Sequence, residues 1–501
     1  MRRLPPRRTI PGRPATLRTG TIVALGATLA ACVGPNFHRP AAPAVDRYTV
    51  EPLAAATATV PGAGTAGAAQ RFLEQQAVPG NWWTLFGSEE LNGLVAEALR
   101  ANPDVASAQA ALRQARENTA AQRGSYFPTV QGTFDASRNR DATGVVQPTL
   151  QSGSPVYSLF TPQVTISYVP DVFGANRRAV ESLAAQAEAS GFQLQATYLT
   201  LTANVVSGAI QEAGLRAQIA GTERVIALER ESLAVLRREL ELGAIAEMDV
   251  YAQDAALAQL EATLPPLNKQ WHQARDQLAA LTGHLPADFK PVQIDLDRLV
   301  LPVDLPLSVP SQLVERRPDV RAAEAQLHAA TAQVGVAMAN MLPQITITGD
   351  LGSTATLLSD LFKPGTGFWS IGGQASQTLF SGGTLLHRKR AAEAALDQAG
   401  AQYRSAVLTA FQNVADALHA LDSDADALNA ASRAEQAAQK SLGVARHQLQ
   451  LGSVSYLALV NSEQTYNQAV VSLAQARANR YADTAALFQA LGGSIEPLAA
   501  P

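Results

Sequence analysis

Two stretches of the sequence decide the fold: NPDVASAQAALRQARENTAAQRGSYFPTV at residues 102–130 and RPDVRAAEAQLHAATAQVGVAMANMLPQI at residues 317–345. At a constant offset of 215 residues, eight positions are identical without a gap, beginning with the Pro-Asp-Val of each stretch. Farther along, the offset becomes 209 and pairs Gly243 with Gly452 and Gly283 with Gly492. Self-similarity at a near-constant spacing indicates internal duplication, here of a unit of about 200 residues.

Each repeat is predicted to contain a helix, two strands and then two very long helices. Pro103 and Pro318 suit the first position of a helix. Residues 163–168 and 344–351 alternate between polar and apolar side chains, and this period of two predicts strands. Weaker signals mark the other two strands, at Val130 with Phe134 and at Trp369 with Ile371, Ala375 and Leu379. An ordinary antiparallel sheet with one buried face would show the same alternation, so the strands alone leave both readings open.

The placement of proline predicts the long helices. The chain has 28 prolines, yet residues 171–264 and 365–496 contain none, and helix interiors exclude proline. The 67 residues from Asn176 to Leu242 would form a helix of about 100 Å. A pair of solvent-exposed coiled-coil hairpins is the alternative. Pro265-Pro266 has no counterpart in the second repeat, which predicts a break in the returning helix of the first repeat only.

Composition excludes several classes of function. The net charge is −4, so there is no basic field for nucleic acid. One cysteine excludes an internal disulfide, a Cys-x-x-Cys redox pair and a multi-cysteine zinc site. The seven histidines form no close ligand pair, and no nucleophile stands beside a base in a recognisable motif. We therefore expect no enzyme activity, no catalytic residues, no cofactor, no metal and no nucleic-acid partner.

The N-terminus has the order of a secretory leader. Six arginines and no acid occupy the first twenty residues, and the apolar run TIVALGATLAA leads to Cys32, the single cysteine. That run is too short to span a bilayer as a helix, so residues 1–31 are predicted to be a signal peptide. Leu-Ala-Ala-Cys resembles a bacterial lipobox, in which the cysteine is acylated. Val33 rather than aspartate then favours the outer membrane. An ordinary cleavage site with a free cysteine is the alternative.

Four half-apolar strands cannot form a closed wall by themselves. Bacterial barrels begin at eight strands, and an open edge in lipid leaves backbone groups without partners. Two chains would supply eight strands and three chains twelve. The sequence therefore predicts an oligomer and leaves the number of subunits open.

Five motifs carry a resemblance to a known family: GPNFHRP at 34–40, the set Pro79, Trp82-Trp83, Phe86 and Leu91, LPLSVPSQLVERRPDV at 305–320, the set Phe411, Val414 and Ala417-Leu418, and LGSVSYLALVNSEQTYNQA at 451–469. Together they resemble the TolC family, and most closely the NodT-type lipoproteins of resistance-nodulation-division efflux systems.

The resemblance implies an α+β membrane protein with four β-strands and long α-helices in each protomer. A homotrimer would form a 12-stranded β-barrel in the outer membrane, continued by a 12-helix α-barrel in the periplasm. It also implies a passive gated duct that works with a periplasmic adaptor (membrane fusion protein) and an inner-membrane pump to export small molecules. The alternative is a lipid-anchored periplasmic coiled-coil scaffold without a pore.

The resemblance also implies site residues. The hairpin turns Leu242-Gly243-Ala244 and Leu451-Gly452-Ser453 would be periplasmic tips that contact the adaptor. A leucine and, four residues on, an aspartate constrict the pore in family members. These positions fall on Leu457 and Asn461 here, with Gln464 where an arginine often stands. We expect a gate closed by apolar packing and amide hydrogen bonds, with Glu463 or Asp254 nearby.

The expected organisation has six parts. Residues 1–31 form the signal peptide, 32–90 a lipid-anchored segment, 91–290 the first repeat, 291–305 a linker, 306–494 the second repeat and 495–501 a tail. Within the second part, the Gly-rich residues 62–67 are interpreted as a flexible spacer. The acidic run Asp422, Asp424 and Asp426 is interpreted as a solvated helix face.

Overall fold

The computed structural model describes residues 33–140, 156–290 and 292–493. The expected signal peptide, Cys32 and the expected tail 495–501 lie outside the described residues. Within the described ranges, no helix combines the length and the apolar content needed to cross a membrane.

The first repeat has the predicted order of elements. A short strand and a short helix precede it, and its returning helix is interrupted. The elements are β1 (Arg71–Glu74), α1 (Glu89–Ala101), α2 (Pro103–Arg123), β2 (Thr129–Arg140), β3 (Val156–Tyr168), α3 (Ala175–Glu241), α4 (Glu247–Glu261) and α5 (Leu264–Leu281).

The second repeat follows the same order. Its elements are β4 (Asp304–Leu307), α6 (Pro310–Arg316), α7 (Pro318–Ala339), β5 (Gln344–Ser353), β6 (Gly367–Ser376), α8 (Thr384–Gln450) and α9 (Tyr456–Ala490). Helices α3 and α8 both have 67 residues.

The predicted break in one returning helix is confirmed. Helix α4 ends at Glu261, and α5 begins at Leu264 with proline in its first turn. Proline fits there because the first N–H groups of a helix have no partner within it. In the second repeat, α9 continues through the equivalent positions for 35 residues.

One compact unit comprises the described parts of residues 1–39, 114–187 and 325–400. It contains an antiparallel sheet in the order β2-β3-β5-β6. Directly paired residues lie on one face of a sheet. Val164 pairs with Leu351, and Leu351 pairs with Trp369, so these three apolar side chains share a face. This apolar face is exposed to the outside of the chain.

The opposite face of the same sheet is polar. The carboxylate of Asp350 accepts hydrogen bonds from Gln163 (2.8 Å), Thr165 (2.8 Å) and Ser370 (2.9 Å), which belong to β3 and β6. The predicted alternation is thus present in three dimensions. Leu379 is not part of it, because β6 ends at Ser376.

The second compact unit comprises the described parts of 40–113, 188–324 and 401–501. A hydrophobic cluster joins α3, α4, α8 and α9; its buried members include Leu233, Leu257, Leu442 and Leu459. This contact explains why leucine recurs along α3, since the stripe packs against three other helices.

The segment before the first repeat packs against α9 and is not a flexible spacer. Gly64–Gly67 forms a 3-10 helix in which Ala66 and Gly67 are buried. The Thr65 hydroxyl lies 2.8 Å from both the Leu299 carbonyl oxygen and the Tyr481 hydroxyl. The prediction for 62–67 was therefore wrong. Small residues here allow close packing, because a Cβ on Gly67 would lie 2.2 Å from a backbone oxygen.

A two-stranded parallel sheet, β1 with β4, was not predicted. Each strand has only four residues, too short for a periodic signal. The Gln70 amide before β1 donates to the Pro302 carbonyl (3.0 Å) and to Thr484 of α9 (2.9 Å). These bonds tie the segment before the first repeat and the segment between the repeats to one helix.

In both repeats, an equivalent residue hydrogen-bonds to the end of the returning helix. Asn102 Nδ2 donates to the Leu281 carbonyl (3.0 Å), and Arg317 Nη1 donates to the Ala490 carbonyl (2.9 Å). The residue before each repeat's opening proline therefore holds the last turn of the returning helix. Gly283 and Gly492 follow these turns at φ +78° and +71°.

We expect Gly283→Ala to destabilise the protein more than Gly243→Ala. Both glycines have φ near +75° (78° and 72°), where an L residue costs about 1–2 kcal/mol. A Cβ at 283 would also lie 2.5 Å from the Ala101 carbonyl oxygen, whereas at 243 it meets nothing within 4 Å. Overpacking adds about 1–3 kcal/mol. Melting temperatures of the two purified variants measure the difference, and equal losses would contradict the close contact.

Candidate functional site

The two hairpin turns have the same backbone geometry. Gly243 donates to the Leu240 carbonyl (2.8 Å) and Ala244 to that of Glu239 (2.9 Å). Gly452 and Ser453 make the equivalent bonds to Leu449 (2.9 Å) and Gln448 (3.0 Å). This is the Schellman arrangement, which needs a residue with positive φ, and both glycines provide it.

Each turn presents a leucine to the outside. Leu242 and Leu451 are exposed at equivalent positions just before the glycines. Exposed leucines at matching places in two hairpins form a pair of apolar contacts that nothing in the described chain covers.

The three predicted gate residues lie on one face of α9. Leu457, Asn461 and Gln464 are all exposed, and their spacing of four and then three residues places them along one side of a helix. We call these three residues the α9 stripe. Its spacing and exposure would allow the three side chains to face a shared passage.

The opposite face of α9 is buried. Tyr456, Leu459 and Val460 pack into the four-helix hydrophobic cluster, and Glu463 is also buried. Glu463 is therefore close to the α9 stripe in sequence and directed away from it.

Four helices contribute side chains to a buried polar cluster around Glu463. Gln253 of α4 donates to Glu229 of α3, the Glu229 and Glu463 carboxyls face each other, and Arg446 of α8 lies 3.3 Å from Glu463. Burial, together with the facing Glu463 carboxyl, raises the pKa of Glu229 to about 8. We call Glu229, Gln253, Arg446 and Glu463 the carboxyl cluster.

Asp254 does not join the carboxyl cluster. Its carboxylate lies 3.2 Å from Arg237, and both side chains are more than half exposed. Of the two acids expected beside the gate, Glu463 is buried behind the α9 stripe and Asp254 forms a surface ion pair.

The acidic run on α8 is only partly a solvated face. Asp422 and Asp426 are exposed, but Asp424 is half-buried and faces the Asp483 carboxyl of α9. Burial and the neighbouring Asp483 carboxyl raise the pKa of Asp424 to about 7, while the charge of Arg480 acts in the opposite direction. The prediction for Asp424 was wrong, because helical spacing turns it toward α9.

No three His, Cys, Asp or Glu side chains in the described ranges are grouped so that they could hold a metal ion.

The family of outer membrane efflux proteins matches residues 94–284 and 309–493, which is well over half of the chain. The chain belongs to this family.

Individual relatives agree with this assignment. The pyoverdine export outer membrane protein OpmQ of Pseudomonas aeruginosa is 28% identical over 419 residues, covering 82% of this chain and 87% of that protein. The toluene efflux pump outer membrane protein TtgC of Pseudomonas putida is 28% identical over 462 residues, covering 92% of each. The solved outer-membrane channel OprN superposes with a TM-score of 0.80 at 28% identity, covering 93% of this chain and 100% of OprN.

The resemblance to the TolC family and the predicted function are thereby confirmed at the level of the family. This efflux protein is an outer-membrane channel component of an efflux system. Its relatives are channel and transport proteins, and its fold is that of the TolC-type channels, mostly helical with some strands.

The sequence did not predict two contacts between acidic side chains in this efflux protein, Glu229 with Glu463 and Asp424 with Asp483. Glu229 and Glu463 are 234 positions apart, and Asp424 and Asp483 are 59 apart. The local sequence around each acid gives no sign of a partner on a distant helix. The repeat offset does not relate the members of either pair.

We expect Asp424 to contribute stability to the efflux protein at acidic pH that is lost as the pH rises from about 4 to about 7. Its raised pKa means that the folded chain keeps a proton that the unfolded chain releases near its ordinary value of 3.8. Asp424→Asn can donate a hydrogen bond to Asp483 without titrating. The melting temperature of the variant relative to that of the wild type should therefore be higher at pH 7.5 than at pH 4.5.

The matched control is Asp422→Asn, which removes an exposed acid two residues away. It should keep the pH dependence of the wild type. An unchanged dependence in Asp424→Asn would show that the pair carries no shared proton.

Proposed function

We propose that three copies of this chain form a passive, gated duct across the outer membrane and into the periplasm. The observation that carries this proposal is the sheet with one exposed apolar face and one polar face. Lipid would cover the side chains of Val164, Leu351 and Trp369, and water would fill the side that carries Asp350.

The number of strands supports an oligomer. Strands β2 and β6 are the two edges of the sheet, and inside lipid each unpaired backbone group costs several kcal/mol. Pairing β6 of one chain with β2 of the next would remove every edge. Three chains of four strands give a barrel of twelve, and their long helices would continue it as a periplasmic tube.

The α9 stripe is the proposed gate. In a trimer, three copies of Leu457, Asn461 and Gln464 would face a common axis near the hairpin turns. Three asparagines carry no charge, so they can hydrogen-bond to one another without the repulsion of a ring of carboxylates. We expect apolar packing of Leu457 to be the main barrier.

The hairpin turns are the proposed contacts for a periplasmic adaptor. Leu242-Gly243-Ala244 and Leu451-Gly452-Ser453 present equivalent exposed leucines on the same turn geometry, which suits a partner with repeated apolar pockets. The adaptor would connect the duct to an inner-membrane pump of the resistance-nodulation-division class, which supplies the energy.

The cargo class is small molecules chosen by the pump. The relatives are named for different cargoes, pyoverdine in one and toluene in the other. A passive duct with a polar lumen suits this range, because it needs no cargo-specific pocket.

Cys32 is the proposed lipid anchor. The residues after it are held in place: Val33 donates to the Phe173 carbonyl (3.5 Å), Asn36 accepts from Arg178 (2.6 Å) and Phe37 stacks on His328 at 4.5 Å. These contacts fix the start of the mature chain within the unit that contains the sheet. Acyl chains on Cys32 would enter the same membrane as the barrel.

We expect Leu457→Ser to raise the single-channel conductance in planar bilayers, because a hydroxymethyl group is smaller and does not exclude water. The matched control is Leu242→Ser, since Leu242 is similarly exposed (70% against 62%) but lies in the turn. That variant should leave conductance unchanged and weaken capture by the adaptor. Equal conductance of wild type and Leu457→Ser would remove Leu457 from the gate.

Cys32→Ser distinguishes the duct from the alternative of a lipid-anchored scaffold. The variant should lose the mass of the acyl chains in mass spectrometry yet still require detergent for extraction, because the strands hold the duct in the membrane. Release into the aqueous periplasmic fraction as a monomer would support the scaffold. A wild-type mass without acyl chains would contradict the lipobox alone.

A further inference from the structure

Two acids meet in the interior of the four-helix cluster. Glu229 of α3 is 3% exposed and Glu463 of α9 is 0% exposed, and their carboxyl groups face each other. An ionised carboxylate can only accept hydrogen bonds. A hydrogen bond between two carboxyl groups therefore requires a proton on one of them.

The remaining contacts of the pair point the same way. Glu463 Oε1 faces Arg446, but the buried Oε2 of Glu463 has no donor among the described residues. The side-chain amide nitrogen of Gln253 donates a hydrogen bond to Glu229 and not to Glu463. A proton shared by Glu229 and Glu463 would supply a donor to Glu463 Oε2; the buried amide oxygen of Gln253 also has no donor among the described residues.

The net charge of the carboxyl cluster also favours one proton on the two acids. Two carboxylates and the Arg446 guanidinium sum to one negative charge, and one added proton makes the group neutral. A neutral group avoids the large penalty for an uncompensated buried charge. The other titratable groups that face it are Tyr456 of α9 and, next to Tyr456, Glu239 of α3. The Tyr456 hydroxyl is bonded to Ser232 (2.9 Å) and stays neutral, since burial above all raises its pKa to about 12.

We propose that the proton shared by Glu229 and Glu463 is a latch that fastens α9 to α3 and keeps the gate closed, and that its loss opens the gate. This inference rests on the proposed function, because it takes the α9 stripe as the gate.

The position of Glu463 explains how the latch reaches the gate. It lies between Asn461 and Gln464 in sequence and on the opposite side of the same helix turns. A helix moves as a rigid body over two turns, so a displacement of Glu463 from Glu229 carries the α9 stripe with it. With the proton present, the acids attract through a hydrogen bond. Without it, two like charges repel in a buried site.

The pH range follows from the same geometry. Burial and the facing carboxyl raise the pKa of Glu229 to about 8, so the latch is closed in mildly acidic solution and is released in alkaline solution. The Asp424–Asp483 contact also joins α9 to another helix, but it is 20 residues farther along α9.

The test is single-channel recording of the full trimer between about pH 6 and pH 9. In the wild type, the ratio of open to closed time should rise by between about tenfold and about a hundredfold from pH 7 to pH 9, because each pH unit changes the ratio of the unprotonated to the protonated form by a factor of ten. In Glu229→Gln and in Glu463→Gln, an amide N–H replaces the proton as the donor. Both variants should stay closed over the whole range.

Asp254→Asn is the matched control, since it removes an exposed carboxylate from the same part of the hairpins. It should keep the pH response of the wild type. A flat wild-type response, or one that survives in both glutamine variants, would overturn the latch. If Leu457→Ser still raised conductance in that case, the gate would stand and only the latch would fall.

A second measurement tests the proton without relying on channel activity. The infrared carbonyl stretch of a protonated carboxyl should appear in the difference spectrum of wild type minus Glu463→Gln at neutral pH, and should vanish at about pH 9.5. Its absence at neutral pH would overturn the shared proton. Its presence in a protein that forms no channels would leave the proton in place and reject the proposed function.

Discussion

In each repeat, the last turn of the returning helix lies against the residue that precedes the opening proline. The hydrogen bond between them fixes the register of the returning helix against the start of the repeat. Asn102 and Arg317 stand before the opening prolines and hold the carbonyls of Leu281 and Ala490. Between these ends the chain passes through two strands and a 67-residue helix. A slip of one residue at the closure would turn the buried face of the returning helix outward, since helical side chains are 100° apart.

The two closures use different chemistry for the same purpose. Asn102 bonds the N-terminus of α2 through its oxygen, accepting from Asp104 (2.8 Å), while its amide nitrogen reaches the returning helix. Arg317 is held by Asp319 at 2.6 Å and extends to the carbonyl of Ala490. Duplication therefore preserved the geometry of the tie and not its side chain. The Pro-Asp-Val after each residue is the part that stayed the same.

The extended and helical elements could be predicted because each leaves a local pattern. Proline-free runs gave α3 to within one residue at each end, and Pro265-Pro266 gave the interruption between α4 and α5. The strands were visible through alternation, although Leu379 lay outside β6. What could not be predicted depends on contacts between distant segments. The burial of Gly64–Gly67 against α9, the β1–β4 pair and the carboxyl cluster all join positions that no periodicity relates.

The arrangement of the proposed gate residues could be predicted only in part. The spacing of Leu457, Asn461 and Gln464 fixes that they share a side of α9, and the structure leaves that side exposed. That Glu463 is buried on the reverse side required the packing of four helices, because a glutamate beside exposed polar residues reads as a surface residue. Asp254, the other acid expected near the gate, is such a surface residue.

The interruption at Pro265-Pro266 gives the two hairpins different mechanical properties. The first hairpin returns through two shorter helices, and the missing backbone hydrogen bonds between them form a joint that can bend. The second hairpin returns through one unbroken rod of 35 residues, about 50 Å long. Movement at the turn of the second hairpin is therefore transmitted along the rod to Arg480 and Tyr481 and the segments they bind, whereas movement at the first is absorbed on the way.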